Sequence, residues 1–255
     1  MRVMDGGPET AQAVLRRALE LGINLIDTAD IYGHGTIEET IAGALHPYPE
    51  GVVIATKGGQ THRDGKPHPN CRPDYLRSAC EASLKRLRVD RVDLYQLHQP
   101  DPEVPVEESI GALAELRAEG KIRLVGVSNF SVDQLRAARE TTPIASLQNI
   151  YSVAKRDYES VLEECEREQI AFMPWFPLGA GDLTKADGEL ARVALEQRAA
   201  PAQVAISWLL QHSPVMTPIP GTSSLEHLDE NVNAASLQLT DDQVERLERA
   251  TLQPG

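Results

Sequence analysis

Short apolar runs alternate with amphipathic segments from one end of this sequence to the other. The seven apolar runs are Ile23–Thr28, Val52–Lys57, Val92–His98, Ile122–Ser128, Ala145–Ile150, Ala171–Phe176 and Val215–Ile219. Each run is too short for a buried helix and is typical of a strand that is covered on both faces. The helical patterns are Glu9–Leu21, a segment opened by Arg72-Pro73-Asp74, Val106–Glu119, Ser131–Arg139, Asp157–Glu168, Glu189–Ala199, Pro201–His212, Ser224–Ala234 and Thr240–Ala250. This alternation predicts an α/β fold with parallel strands and crossover helices.

The length and the absence of linker-like or low-complexity segments favour one domain that spans residues 1–255. A (β/α)8 barrel, the TIM barrel, commonly has this length. The first barrel strand is missing from the pattern, because the helical segment Glu9–Leu21 precedes the first apolar run. Two interpretations remain open: a seven-stranded or open barrel, and a natural protein that starts upstream, with Met1 an internal methionine. We favour the second, an N-terminally truncated barrel, because a seven-stranded ring would leave two unpaired edges.

The charge and the cysteines restrict where the chain works and what it binds. The formal net charge of −13 would repel a nucleic acid duplex or an anionic membrane, so we expect neither as a partner. Three cysteines without paired spacing are typical of a reducing compartment. The N-terminus has no apolar signal region, and the chain has no membrane-spanning apolar stretch. The sequence therefore predicts a cytoplasmic protein.

Reactive side chains follow three successive apolar runs. Asp27 ends the first run and Tyr32 lies just beyond it, Lys57 ends the second, and His98 ends the third. The carboxyl ends of parallel barrel strands share one rim, where active sites form. An ammonium group lowers the pKa of a neighbouring phenol, and a buried ammonium needs a carboxylate. We therefore expect Tyr32 as general acid, tuned by Lys57, with Asp27 holding Lys57 and His98 orienting a carbonyl oxygen.

Each of these residues taken alone has a more common structural role. A strand-end aspartate such as Asp27 is usually a cap, and a loop tyrosine such as Tyr32 usually packs with its hydroxyl in water. A lone lysine is usually solvated, and a lone histidine in an apolar strand usually belongs to the core. The functional interpretation depends on all four falling at the same end of three consecutive strands.

Four segments resemble signature motifs of the aldo-keto reductase superfamily. They are the Asp-Tyr segment 22–33, the lysine segment 55–58, the histidine segment 93–98 and the fifth-strand segment 120–130. The resemblance extends from about Gly7 to the C-terminus. It implies the same four catalytic residues and an oxidoreductase that transfers a hydride between NADP(H) and an aldehyde or ketone and its alcohol. The family binds NADPH without a Rossmann fold, and no strand here is followed by a GxGxxG motif.

The resemblance also implies which residues hold the cofactor. The nicotinamide carboxamide would contact Ser128, Asn129 and Gln148, although Ser128 and Asn129 could equally begin the following helix. Trp175 would stack on the nicotinamide ring in a segment that ends at Leu178 and has Phe176 where the family has serine. The adenosine-phosphate end would contact a loop and helix start with Gly221, Thr222, Ser223, His227, Glu230 and Asn231.

Two features leave the function open. Some family members place lysine and arginine against the 2′-phosphate, where this chain has Gly221 and His227, so we expect weak discrimination against NADH. The same barrel resembles the NADP-binding β-subunits of potassium channels, so a regulatory sensor or a catalytically impaired barrel is the alternative function.

His62, His68 and Cys71 share one loop, but their spacing matches no zinc pattern, and we expect no metal there. The substrate and the oligomeric state do not follow from the sequence.

Overall fold

A computed structural model of the chain describes residues 7–178 and 188–251. The chain divides into two compact units, Met1–Gln148 and Asn149–Gly255. The expected lost strand and the interpretation of Met1 concern residues that lie outside the described ones. The first described element is the helix α1 (Gly7–Glu20), which buries Val14 and Leu15.

The first unit is built around a parallel sheet. Its strands in chain order are β1 (Leu25–Asp27), β2 (Val53–Gly58), β5 (Val92–Leu97), β6 (Ile122–Ser128) and β7 (Ile144–Gln148). Neighbours in the sheet follow this same order, and every pairing is parallel. These strands confirm the first five apolar runs to within a few residues at each end. Most residues of these strands are buried on both faces, so their apolar residues form near-continuous runs and do not alternate with polar ones.

Helices connect these strands. They are α2 (Thr36–Leu45), α3 (Pro73–Leu87), α4 (Val106–Ala118) and α5 (Val132–Thr141). Ser131 caps α5 in a capping box with Gln134, so the predicted helix start is confirmed. The sequence prediction missed α2, although Ile37, Ile41 and Leu45 recur at helical spacing and are buried.

A β-hairpin follows β2 where the sequence predicted only a loop. Strands β3 (Gln60–Arg63) and β4 (Lys66–Pro69) pair antiparallel. The connecting residues Asp64 and Gly65 have φ angles of 52° and 73°. An Asp-Gly pair with two positive φ angles is the preferred two-residue hairpin turn, so the signal was present in the sequence.

The second unit contains mostly helices among its described residues. Its elements are α6 (Glu159–Glu168), β8 (Ala171–Phe172), α7 (Glu189–Gln197), α8 (Pro201–His212), α9 (Leu225–Asn233) and α10 (Asp241–Thr251). The last predicted strand, Val215–Ile219, is wrong: these residues form only an isolated bridge between Met216 and Phe172. Pro218 has no backbone N–H to donate to a strand neighbour, which accounts for the short pairing.

No helix within the described ranges is both long enough and apolar enough to cross a membrane. The buried side chains of the first unit are largely the apolar residues of its strands and the inward faces of its helices. Six of the buried polar residues lie at the carboxyl ends of the strands: Thr56, Lys57, Gln96, His98, Ser128 and Gln148.

Candidate active site

The carboxyl ends of the first unit's strands bring the predicted catalytic residues together. Asp27 is the last residue of β1, Lys57 is next to last in β2, and His98 follows β5 directly. Asp27 pairs with Ala55 and Lys57 with Gln96 in the parallel register. Because parallel strands end at one edge of a sheet, the three side chains share that edge.

Lys57 and Asp27 form a buried ion pair. The ammonium nitrogen Nζ of Lys57 lies 2.6 Å from Oδ2 of Asp27 and also donates to the carbonyl oxygen of Thr28 at 2.8 Å. The Lys57 side chain is fully buried, and only 11 % of the Asp27 side chain is exposed. A buried ammonium is stable only with such a partner, and the carboxylate provides it.

Tyr32 lies beside this pair in a short turn, Tyr32–Gly35, which follows β1. The Lys57 ammonium nitrogen is 5.5 Å from the centroid of the Tyr32 ring, so the two groups are on the same side of the unit. Burial raises the pKa of Tyr32 above its usual range, and Lys57 opposes this rise without cancelling it. The expectation that Lys57 lowers this pKa therefore describes only one of two competing effects, and desolvation is the larger.

His98 meets the edge of the Tyr32 ring. The two ring centroids are 5.8 Å apart and the rings are nearly perpendicular. Burial, reinforced by the positive charge of Lys57, lowers the pKa of His98 to about 3. His98 is therefore a neutral imidazole at physiological pH and can take part in hydrogen bonds without carrying charge.

Three residues predicted to hold the nicotinamide end the next two strands. Ser128 ends β6 and donates its hydroxyl to the carbonyl oxygen of Gln148, the last residue of β7, at 2.8 Å. Asn129 follows with a left-handed φ of 61° and donates from Nδ2 to the His98 carbonyl oxygen at 3.0 Å. The strained backbone turns the Asn129 side chain back toward the strand ends. The helix cap that competed with this interpretation is provided by Ser131.

The second unit contains the remaining predicted cofactor residues. Trp175 is half-buried, and its backbone N–H donates to the Asn149 carbonyl oxygen at 2.9 Å. Phe176 is exposed, has a φ of 58° and meets the Trp175 ring edge-on. Leu178 is half-buried at the last position before the undescribed residues 179–187.

The predicted phosphate loop leads into α9. Thr222 accepts a hydrogen bond from the backbone of Ser224, and Ser224 caps the helix by accepting from the His227 backbone N–H. Gly221 and His227 are exposed, Thr222, Ser223 and Glu230 are half-buried, and Asn231 is buried. Backbone N–H groups at such a helix start are suited to bind an anion.

Comparison with known proteins identifies the family. The sequence model of the aldo/keto reductase family matches residues 6–251. The chain belongs to the aldo/keto reductase family. An uncharacterised oxidoreductase of Schizosaccharomyces pombe is 44% identical over 241 residues, which cover 94% of this chain and 78% of that protein. Pyridoxine 4-dehydrogenase of Escherichia coli is 37% identical over 246 residues, which cover 93% of this chain and 85% of that protein.

A solved structure shares the fold. The aldo/keto reductase from Klebsiella pneumoniae in complex with NADP and acetate has a TM-score of 0.86 and 28% sequence identity, and the match covers 100% of this chain and 89% of that chain. The predicted α/β barrel class and the resemblance to aldo-keto reductases are therefore confirmed. As a family member, the chain is classed with the oxidoreductases.

Two glutamines at the site of this aldo/keto reductase form hydrogen bonds with Asp27. Nε2 of Gln96 and Nε2 of Gln148 each donate to Oδ1 of Asp27 at 3.2 Å, and Ser146 donates to Gln96 at 3.3 Å. The sequence analysis assigned Gln148 to the cofactor and missed Gln96 and Ser146. Gln96 is two residues before His98, and Ser146 is two before Gln148, so alternation along a strand could have placed each pair on one face.

The loop that suggested a metal is the β3–β4 hairpin region. Its three candidate ligands have separate neighbours: the His62 ring lies 4.2 Å from the His34 ring, His68 contacts the Pro69 carbonyl oxygen, and Cys71 donates to the Gln99 carbonyl oxygen. Among the described residues, no group of three or more such ligands converges. A cavity of about 610 Å³ lies against the hairpin and is lined in part by Thr61, His62 and Tyr75.

Proposed function

We propose that this aldo/keto reductase reduces the carbonyl group of a small aldehyde or ketone with NADPH, and catalyses the reverse oxidation, with Tyr32 as general acid. The observation that carries the proposal is the buried Lys57–Asp27 ion pair beside the Tyr32 ring. A fully buried lysine requires a specific arrangement of neighbours. Here Lys57 is paired with Asp27 and lies beside the phenol ring of Tyr32.

The residues present fit a nicotinamide cofactor. In the first unit, the buried Ser128 and Gln148 end two strands and the half-buried Asn129 follows Ser128. Their hydroxyl and amide groups suit a carboxamide, which both donates and accepts hydrogen bonds. In the second unit, the half-buried Trp175 indole suits an aromatic ring, and the start of α9 suits a phosphate. When bound, the cofactor supplies the hydride that adds to the carbonyl carbon.

Tyr32 supplies the proton that the reduction requires. Because burial raises the pKa of its phenol beyond the usual tyrosine range, the hydroxyl is protonated at neutral pH and can donate to the carbonyl oxygen as negative charge develops there. Lys57 stabilises the resulting phenolate by its positive charge. Asp27 holds Lys57 in place and is itself held by Gln96 and Gln148.

His98 completes the site as an uncharged hydrogen-bonding group. Its pKa of about 3 keeps the imidazole neutral in the working pH range, so it can orient the carbonyl oxygen without competing with Tyr32 as an acid. The family's cofactor appears in the solved Klebsiella pneumoniae relative, whose structure is a complex with NADP. We further propose that the protein works in the cytoplasm, without a nucleic acid or membrane partner, in keeping with its net charge of −13.

Tyr32→Phe tests the proposal. The variant should lose at least about 10²-fold in kcat with any aldehyde that the wild type reduces, because general acid catalysis contributes about this much. NADPH binding, measured by fluorescence, should stay unchanged. Tyr158→Phe is the matched control, because Tyr158 lies at the start of α6 and should tolerate the loss of its hydroxyl.

The two measurements separate the enzyme from the alternative function. Wild-type protein that binds NADPH but reduces no member of an aldehyde and ketone panel would favour a sensor or a catalytically impaired barrel. A Tyr32→Phe variant with wild-type turnover would refute the role of Tyr32.

A further inference from the structure

Asp30 is half-buried in the loop that connects Asp27 to Tyr32. Its backbone N–H donates to the Lys57 carbonyl oxygen at 3.1 Å. Its Oδ1 atom is buried and has no hydrogen-bond partner within the part of the chain that the structure describes. A buried carboxyl oxygen without a partner is costly when the group is charged.

Nearby positive charges already have carboxylate partners. Lys57 is paired with Asp27 at 2.6 Å, and Nε of Arg86 donates to Oε2 of Glu38 at 2.6 Å. Glu38 is itself fully buried and also accepts from Thr56. Among the described residues, three carboxyl groups thus share two cations, and Asp30 has no ion pair of its own. The charged groups that act on Asp30 are Glu38, Lys57 and Arg86, and the titratable groups on which its charge acts are Tyr32, Tyr75 and Tyr95.

We propose that Asp30 is a positioning residue for the general acid: when neutral it leaves Tyr32 free to exchange its proton, and when charged it disfavours the Tyr32 phenolate. This inference rests on the proposed function of Tyr32.

The electrostatic environment supports a charge change in the working range. Burial, and next the negative charge of Glu38, raise the pKa of Asp30 to about 7, with Arg86 and Lys57 opposing the rise. Burial is the largest cause that raises the pKa of Tyr32, and negative charges at Asp27 and then Asp30 raise it further, so a charge at Asp30 adds to this rise. The carboxyl is therefore neutral in mildly acidic solution and charged in alkaline solution, where the oxidation direction needs the phenolate as base.

The pH dependence of alcohol oxidation tests the proposal. Oxidation by NADP⁺ requires deprotonated Tyr32, so its kcat should rise with pH. In Asp30→Asn the negative charge is absent, and the midpoint of this rise should move to lower pH by about one unit. Asp90→Asn is the matched control: Asp90 is exposed just before β5, at the opposite edge of the sheet, and its profile should follow the wild type. Superimposable profiles for Asp30→Asn and the wild type would overturn the proposal.

A second measurement needs no turnover. In protein labelled with ¹³Cζ-tyrosine, the Tyr32 resonance, assigned by its loss in Tyr32→Phe, should shift with a midpoint near pH 7 as Asp30 titrates. The shift should vanish in Asp30→Asn and persist in Asp90→Asn. If the wild type shows the shift but oxidises no alcohol, the reductase proposal fails while the coupling of the two residues stands. If the wild-type resonance shows no such shift, the coupling is wrong whatever the activity.

Discussion

The ammonium nitrogen of Lys57 lies 2.6 Å from Oδ2 of Asp27, so that one ion pair joins the carboxyl ends of two neighbouring parallel strands. The other carboxylate oxygen of Asp27 accepts from Gln96 and Gln148, whose strands are farther along the sheet. Four strands of the first unit therefore meet at one carboxylate. This arrangement makes Asp27 important for stability as well as for the proposed chemistry.

Lys57→Met should destabilise the protein, because it leaves the Asp27 carboxylate without its cation. We expect the free energy of unfolding, measured by urea denaturation, to fall by about 3 kcal/mol. Asp27→Asn combined with Lys57→Met should regain most of that loss, because no unpaired charge remains. Both variants should have very low reductase activity. A double variant as unstable as the single one would argue against the ion pair as the cause.

His98 should make the folded state sensitive to acid. Burial lowers its pKa to about 3 in the folded protein, whereas an exposed histidine has a pKa of about 6.5, so the unfolded chain binds a proton in this range that the folded chain does not. His98 therefore lowers stability progressively as the pH falls from about 6.5 toward 3 and has no such effect above that range. In His98→Gln the free energy of unfolding should fall less steeply between pH 6.5 and pH 4. Equal slopes in the two proteins would contradict this account.

Gly35 should not tolerate a side chain. Its φ is 92°, and an added Cβ would lie 2.7 Å from Cδ and Nε of Arg86, which holds the buried Glu38. Gly35→Ala should lower the free energy of unfolding by about 1–3 kcal/mol. Gly111→Ala is the control: it lies in α4 with open space around the added Cβ and should stabilise by up to about 1 kcal/mol. Thermal unfolding of both variants should therefore shift in opposite directions.

His227 should set the weak preference between the two nicotinamide cofactors. It is exposed in the first turn of α9, where the family resemblance puts the 2′-phosphate. We expect the wild type to favour NADPH over NADH by less than about 10³-fold in kcat/KM. His227→Arg should raise that ratio by about tenfold, because a guanidinium forms stronger hydrogen bonds to phosphate than a neutral imidazole does. His227→Gln should not raise this ratio. If His227→Arg leaves the ratio unchanged, the 2′-phosphate does not bind beside residue 227.

The strand ends could be predicted from the sequence because buried parallel strands are continuous apolar runs. The runs that end near Asp27, Lys57 and His98 correspond to β1, β2 and β5, and this alone puts the three residues at one edge. The segment Val215–Ile219 is also largely apolar but forms only a bridge, because its Pro218 has no backbone N–H to donate to a strand neighbour.

The supporting contacts could not be predicted in the same way. The Gln96–Asp27 hydrogen bond depends on strand register across 69 residues of sequence, and the Arg86–Glu38 pair joins two helices, one of which was missed. The pKa of Tyr32 also required coordinates, since burial and the Lys57 charge act in opposite directions and only geometry decides which is larger.

Hydrogen bonds hold the base of the β3–β4 hairpin, whereas its turn has open space around it. The Asn70 N–H donates to the Gly59 carbonyl oxygen, and the Tyr75 hydroxyl donates to the Gln60 carbonyl oxygen, whereas a Cβ added at Gly65 would touch nothing within 4 Å. A loop can therefore be inserted between Asp64 and Gly65 while the contacts of Lys57 with Asp27 and Thr28 are kept. In directed evolution, this turn is therefore a suitable position for inserting new substrate-binding loops.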